Sequence, residues 1–150
     1  MPALMEQNSK REALNTLIDE IFRNNGRILA EADRLSAAYN LTGARWQVLG
    51  ALDLEQQPLT VAQIARRMGL QRQSVQRLVD ILVAQHLLTY HPNPDHKRAR
   101  LVDFTPAGRD TITNLEALQQ QWAEGITPDF TLEALQQAVA TLKKLRQRLE

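Results

Sequence analysis

Apolar side chains recur at steps of three and four from residue 11 to residue 39: Leu14, Leu17, Ile18, Ile21, Ile28, Leu29, Ala32, Leu35 and Tyr39. That period predicts a helix with one apolar face, and no proline interrupts it. Asn40 tolerates the left-handed conformation in which helices end and is the predicted stop. Thr42 is the predicted N-cap of a second helix, which buries Trp46, Leu49, Ala51 and Leu52 and ends before Pro58. Thr60 and Gln63 have capping-box spacing, so a third helix starts near Val61 and stops at Gly69. A fourth, from about Arg72 to Gln85, places Val75, Leu78, Val79 and Leu82 on one face.

The pattern then shortens. Residues 87–91 and 99–104 read as short strands, with Val102 and Phe104 facing one side. Pro92 and Pro94 lie between them and cannot sit inside a strand, because proline has no amide donor. The intervening segment is therefore a long, basic hairpin loop. Thr105-Pro106 opens a further helix, with a hydroxyl cap and proline at the first position. It is expected to bury Ile112, Leu115, Leu118 and Trp122 and to break at 125–128. A last helix runs from Thr131 to the end with Leu132, Leu135, Val139, Leu142, Leu145 and Leu149 on its apolar face.

Composition narrows the function classes. The chain has 150 residues, enough for a proper core. It is 43% apolar and 23% charged, ordinary for a soluble domain. No apolar run approaches the roughly 20 residues that cross a bilayer, and the first ten residues lack a signal-peptide core. There is no cysteine, which excludes disulfides and thiolate catalysis and fits a reducing cytoplasm. No Gly-rich phosphate loop, nucleophile elbow or carboxylate pair backed by a base is present, so no enzyme is expected. His86, His91 and His96 stand five apart, whereas helical metal ligands want four. They read as surface histidines, and no metal or cofactor is expected.

The overall charge of +1 hides a division. Residues 58–104 carry seven basic side chains (Arg66, Arg67, Arg72, Arg77, Lys97, Arg98, Arg100) against three acids, a net +4. The remainder carries eleven basic and fourteen acidic residues, a net −3. A basic middle between acidic flanks suits a polyanionic partner.

The spacing in that middle is specific. A helix-turn-helix needs a small residue where its helices cross, a turn glycine four residues on, and apolar anchors on the second helix. Ala65, Gly69, Val75 and Leu78 meet those needs. A plain helical hairpin would share this pattern. It would not need the exposed set Gln71, Arg72, Gln73, Ser74, Gln76 and Arg77, which has no acid until Asp80. Gln pairs with adenine, Arg with guanine, and Ser with either base type. Lys97, Arg98 and Arg100, at the hairpin tip and on its return strand, would contact the phosphate backbone or the minor groove.

From Leu41 to Gly108 the chain resembles the multiple-antibiotic-resistance-regulator (MarR) family of winged-helix repressors. The matching residues are Trp46-Gln47-Val48-Leu49, Thr60-Val61-Ala62-Gln63-Ile64-Ala65, Arg77-Leu78-Val79-Asp80, and Lys97-Arg98 through Leu101-Val102-Asp103-Phe104-Thr105-Pro106-Ala107-Gly108. The chain departs from the family pattern at three places. His96 stands where an Asp usually fixes the wing arginine, His86 where Gly is favoured, and Gln76 where Thr or Ser is common.

The expected fold class is mainly α (α+β), a winged helix-turn-helix with long N- and C-terminal dimerisation helices. The expected division is 1–40, N-terminal dimerisation helix; 41–104, DNA-binding domain; 105–150, C-terminal dimerisation helices. The resemblance implies a cytoplasmic homodimer. Its terminal helices carry more apolar surface than a soluble monomer exposes, though a single-chain bundle would also use them. The implied partner is double-stranded DNA with a pseudo-palindromic operator, whose half-sites lie roughly 34–36 Å apart. It also implies a small aromatic or phenolic effector that releases the DNA, with Arg45 and Trp46 as candidate ligand contacts. The alternative is a DNA-binding or adaptor winged-helix protein without any small-molecule ligand.

Overall fold

A computed structural model describes residues 1–150. Six α-helices and three short strands follow one another: α1 (Pro2–Ser36), α2 (Gly43–Glu55), β1 (Leu59–Thr60), α3 (Val61–Met68), α4 (Arg72–Ala84), β2 (Leu88–His91), β3 (Leu101–Phe104), α5 (Pro106–Ile126) and α6 (Leu132–Leu149). Single 3-10 turns, Ala37–Tyr39 and Thr127–Asp129, follow α1 and α5. This is the expected mainly helical, winged architecture. By internal contacts the chain divides into two compact units, Met1–Ile112 and Thr113–Glu150.

In the first unit the core gathers Val48, Leu49 and Leu52 of α2, Ile64 of α3, Val75, Val79 and Leu82 of α4, Leu88 of β2 and Val102 of β3, all buried. Each such side chain is worth roughly 1.5–3 kcal/mol of transfer from water. Ala65 is also buried and lets α3 and α4 approach closely.

Three helix ends share one construction. At Gly69 (φ 66°) the Leu70 amide donates to Ala65 O at 3.0 Å and the Gly69 amide to Arg66 O at 3.3 Å. The same pair of bonds surrounds Asn40 (φ 55°) after α1 and its 3-10 turn, and His86 (φ 60°) after α4. Each takes up carbonyls that the helix end leaves unpaired. The Thr60–Gln63 capping box forms in both directions, with bonds of 3.2 and 2.8 Å.

The sheet has the order β1-β3-β2, antiparallel throughout. Leu88 faces Phe104 and Tyr90 faces Val102, so these four share the inward face. Thr105 then clamps the start of α5. Its hydroxyl donates to His86 O at 2.6 Å and accepts from the Gly108 amide at 3.0 Å. Gly108 packs so tightly here that a Cβ would overlap the Leu87 carbonyl.

At the junction of α1 and α2, the Asp33 carboxylate accepts the Gly43 amide at 2.6 Å. A Cβ on Gly43 would lie 2.9 Å from both Ala32 Cβ and Leu29 O. Thr42 caps α2 by accepting the Arg45 amide at 3.3 Å.

Several expectations need correction. α1 begins at Pro2, well before residue 11. Trp46 is only half-buried, and Val48 takes the core place instead. The return strand starts at Leu101 rather than residue 99, so Arg100 precedes it. The two-residue strand β1 was not expected, because its residues read as the lead-in to a capping box.

In the second unit, α6 is capped by Thr131, which accepts the Ala134 amide at 3.1 Å. Its apolar residues Leu132, Leu135, Val139, Leu142 and Leu149 are exposed. Leu118 and Trp122 on α5 are half-buried rather than buried. No helix is long and apolar enough to cross a membrane.

Candidate nucleic-acid interface

The turn at Gly69 fixes where α4 starts. Gln71 is its N-cap, and no side chain closes the helix there. The free amides of the first turn and the positive end of the helix dipole are left to favour an anion. Around that end Gln71, Arg72, Gln73, Ser74 and Arg77 are all exposed. Val75 and Val79, on the other side, are fully buried and set the roll of the helix. The face that the sequence marks for base contact is therefore the face that the core turns outward.

The hairpin loop between β2 and β3 is held from within by Asn93. Its side-chain amide donates to Ala99 O at 2.9 Å, and its Oδ1 accepts the Asp95 amide at 3.0 Å. The His96 amide donates to Asn93 O at 3.3 Å. Lys97 and Arg98 stand exposed at the tip. Neither forms an ion pair within the chain, and neither do Arg72 and Arg77. Four cations on adjoining elements thus lack a counter-charge. Asp95, next to His96, forms no ion pair with Arg98.

Gln76 and Arg100 behave differently from the other predicted contacts. Gln76 is half-buried, and its amide nitrogen donates to Tyr90 Oη at 2.7 Å and to Asp80 Oδ1 at 3.0 Å. The Tyr90 hydroxyl donates to the same Asp80 oxygen at 2.9 Å. The Arg100 guanidinium lies over the Tyr90 ring, 3.8 Å from its centre. Burial pushes the Tyr90 phenol above its ordinary pKa, and the proton it shares with Asp80 adds to that. Sequence reasoning missed Tyr90 and Asp80. The available signal was register: Tyr90 stands on the inward row of β2, next to α4.

Arg45 sits at the first turn of α2. Its Nε donates to Thr42 Oγ1 at 3.2 Å, and its Nη1 to Asn40 O at 3.3 Å and Gln85 Oε1 at 3.1 Å. Gln85 returns a bond to Asn40 O at 2.8 Å. Trp46 is the next residue, half-buried. A small cleft in the first unit, lined by Leu52, Asp53, Gln56, Gln57, Asp103, Phe104 and Arg109, includes neither. His91 lies 3.9 Å from Asp103, and no group of three metal-ligating side chains forms.

Comparison with known proteins agrees with this fold. The sequence model described as the MarR family matches residues 39–99. The chain is 30% identical over 137 residues to the uncharacterized protein Rv2011c of Mycobacterium tuberculosis, covering 87% of this chain and 94% of that one. It is 26% identical over 118 residues to the HTH-type transcriptional regulator TcaR of Staphylococcus aureus, covering 77% of each. The fold matches that of S. aureus MepR in a MepR–DNA complex with a TM-score of 0.77 at 19% identity, over 89% of this chain and 98% of that one.

Proposed function

The chain belongs to the MarR family of DNA-binding transcriptional regulators, and from that premise we propose that it is a cytoplasmic homodimeric repressor that reads a pseudo-palindromic operator and leaves it when a small aromatic or phenolic molecule binds. It is a transcription factor, not an enzyme. The observation that carries the DNA-reading assignment is a set of four exposed cations without an ion-pair partner, Arg72 and Arg77 on α4 and Lys97 and Arg98 on the wing, together with the exposed Gln71, Gln73 and Ser74.

Roles divide by chemistry. Arg72, Gln73 and Ser74 lie on the first turn of α4, the part of a recognition helix that enters the major groove. Gln71 and Arg77 flank them. Lys97 and Arg98 meet phosphates and position the wing. Gln76 and Arg100 belong to the same surface but carry internal contacts. The sequence-based division stays part of the proposal: 1–40 and 105–150 dimerise, and 41–104 binds DNA. Exposed Leu14, Phe22 and Ile28 on α1, and the exposed leucines of α6, support it.

Arg45 and Trp46 are the proposed effector contacts. Arg45 bonds to both Asn40 O and Gln85, so it links the end of the first helical segment to the end of α4. An aromatic carboxylate that captured its guanidinium would compete with Gln85. The ligand would thereby favour one of two arrangements of the reading helix.

Selection of bound fragments from random duplexes tests the DNA assignment. The expected result is an inverted repeat bound by two protomers, with affinity falling steeply as salt rises. Failure to retain any duplex at low salt overturns it. Titrating a panel of phenolic acids against the complex tests the effector reading, and indifference to the whole panel overturns that part alone.

A further inference from the structure

Of the residues on the DNA-facing side, Tyr90 has contacts that the assignments above do not use. It stands on β2, opposite Val102, at the outer end of the inward row. Its hydroxyl joins two residues one turn apart on α4, Gln76 and Asp80, at 2.7 and 2.9 Å. Its ring carries Arg100, which enters β3 from the wing. One side chain thus touches the reading helix through its polar tip and the base of the wing through its face.

We propose that Tyr90 is a positioning residue for DNA recognition: by holding Gln76 and Asp80 with its hydroxyl and Arg100 with its ring, it fixes the wing relative to the recognition helix. The inference rests on the DNA-binding reading and deepens it. One consequence concerns Gln76. Bidentate recognition of adenine needs the Gln amide nitrogen as donor and its oxygen as acceptor. The nitrogen is already engaged by Tyr90 and Asp80. Gln76 therefore orients its neighbours, and base reading falls to Arg72, Gln73 and Ser74. Arg100 is the second consequence. Stacked on the ring, its guanidinium is presented in one place instead of many, which keeps the cost of ordering it at the phosphate small.

Two substitutions at one position separate the two contacts. Tyr90→Phe removes the hydroxyl and keeps the ring, whereas Tyr90→Leu removes both. The full chain is titrated by fluorescence anisotropy with an operator duplex selected by the wild-type protein and with a scrambled duplex of equal length, from 50 to 200 mM salt. Tyr90→Phe is expected to weaken operator binding about 5-fold, the size of one hydrogen-bonded contact, and to change scrambled-duplex binding less than about 2-fold. Tyr90→Leu is expected to weaken both and to lower the salt slope by about one phosphate contact, a loss that Phe restores. A purely structural role would lower thermal stability and leave the operator-to-scrambled ratio unchanged. An unchanged ratio in Tyr90→Phe together with an unchanged salt slope in Tyr90→Leu overturns the positioning role alone. A wild-type chain that retained neither duplex would overturn it together with the DNA reading.

Discussion

The Arg45 guanidinium donates to Gln85 Oε1 at 3.1 Å, joining the first turn of α2 to the residue that closes α4. Forty positions separate the two in sequence, and both also bond to Asn40 O. Gln85→Ala leaves the carbonyl of Asn40 and the Arg45 head short of one partner each. It is expected to lower unfolding stability by about 1 kcal/mol. Urea denaturation checks this, as a lower midpoint at unchanged slope.

The contact of α1 with α2 leaves no room for a side chain at Gly43. Gly43→Ala would set a methyl 2.9 Å from two α1 atoms, and overpacking of that kind costs about 1–3 kcal/mol. Asp33→Ala removes the acceptor of the Gly43 amide and costs about 1 kcal/mol. Thermal melts of the two single variants and the double variant give the values. The double variant falls short of the sum, because both changes disturb one junction.

His86 holds a left-handed conformation, φ 60°, that glycine adopts without strain. His86→Gly is expected to stabilise the fold by about 0.5–1 kcal/mol, since the strain relieved exceeds the added freedom of the unfolded chain. A raised melting temperature with operator affinity unchanged is the expected outcome. A lowered one would mean that the imidazole contributes a contact of its own.

Base readers and phosphate binders separate in their response to sequence. Arg98→Ala is expected to weaken binding to all duplexes about equally and to lower the salt slope by about one. Arg72→Ala and Gln73→Ala are expected to relax preference at single base pairs, by roughly 1–3 kcal/mol each. Competition against single-substituted operators distinguishes the two patterns. Identical behaviour of the two classes contradicts the assignment of roles.

The legible parts of the sequence were those written in local chemistry. Thr42 and Thr60 cap helices as their neighbours predict, and Asn40 and Gly69 end helical segments in the left-handed region. The outward set on α4 follows from the helical period, because Val75 and Val79 fix its opposite face. What could not be read depends on residues far apart in the chain. Leu59 becomes strand only because Val102 lies beside it. Trp46 loses the core to Val48, although both fall within one turn of α2. Gln76 reads as a base contact until the fold brings Tyr90, fourteen residues on, within 2.7 Å.

The close fit of Gly108 against Leu87 bears on descent. Any missense codon at 108 puts atoms where the Leu87 carbonyl stands, so natural variants at that site must also move the backbone between wing and helix. The wing loop and the exposed residues of α5 carry no such restriction and are free to vary. Position 108 is therefore expected to hold glycine while the surfaces around it diversify.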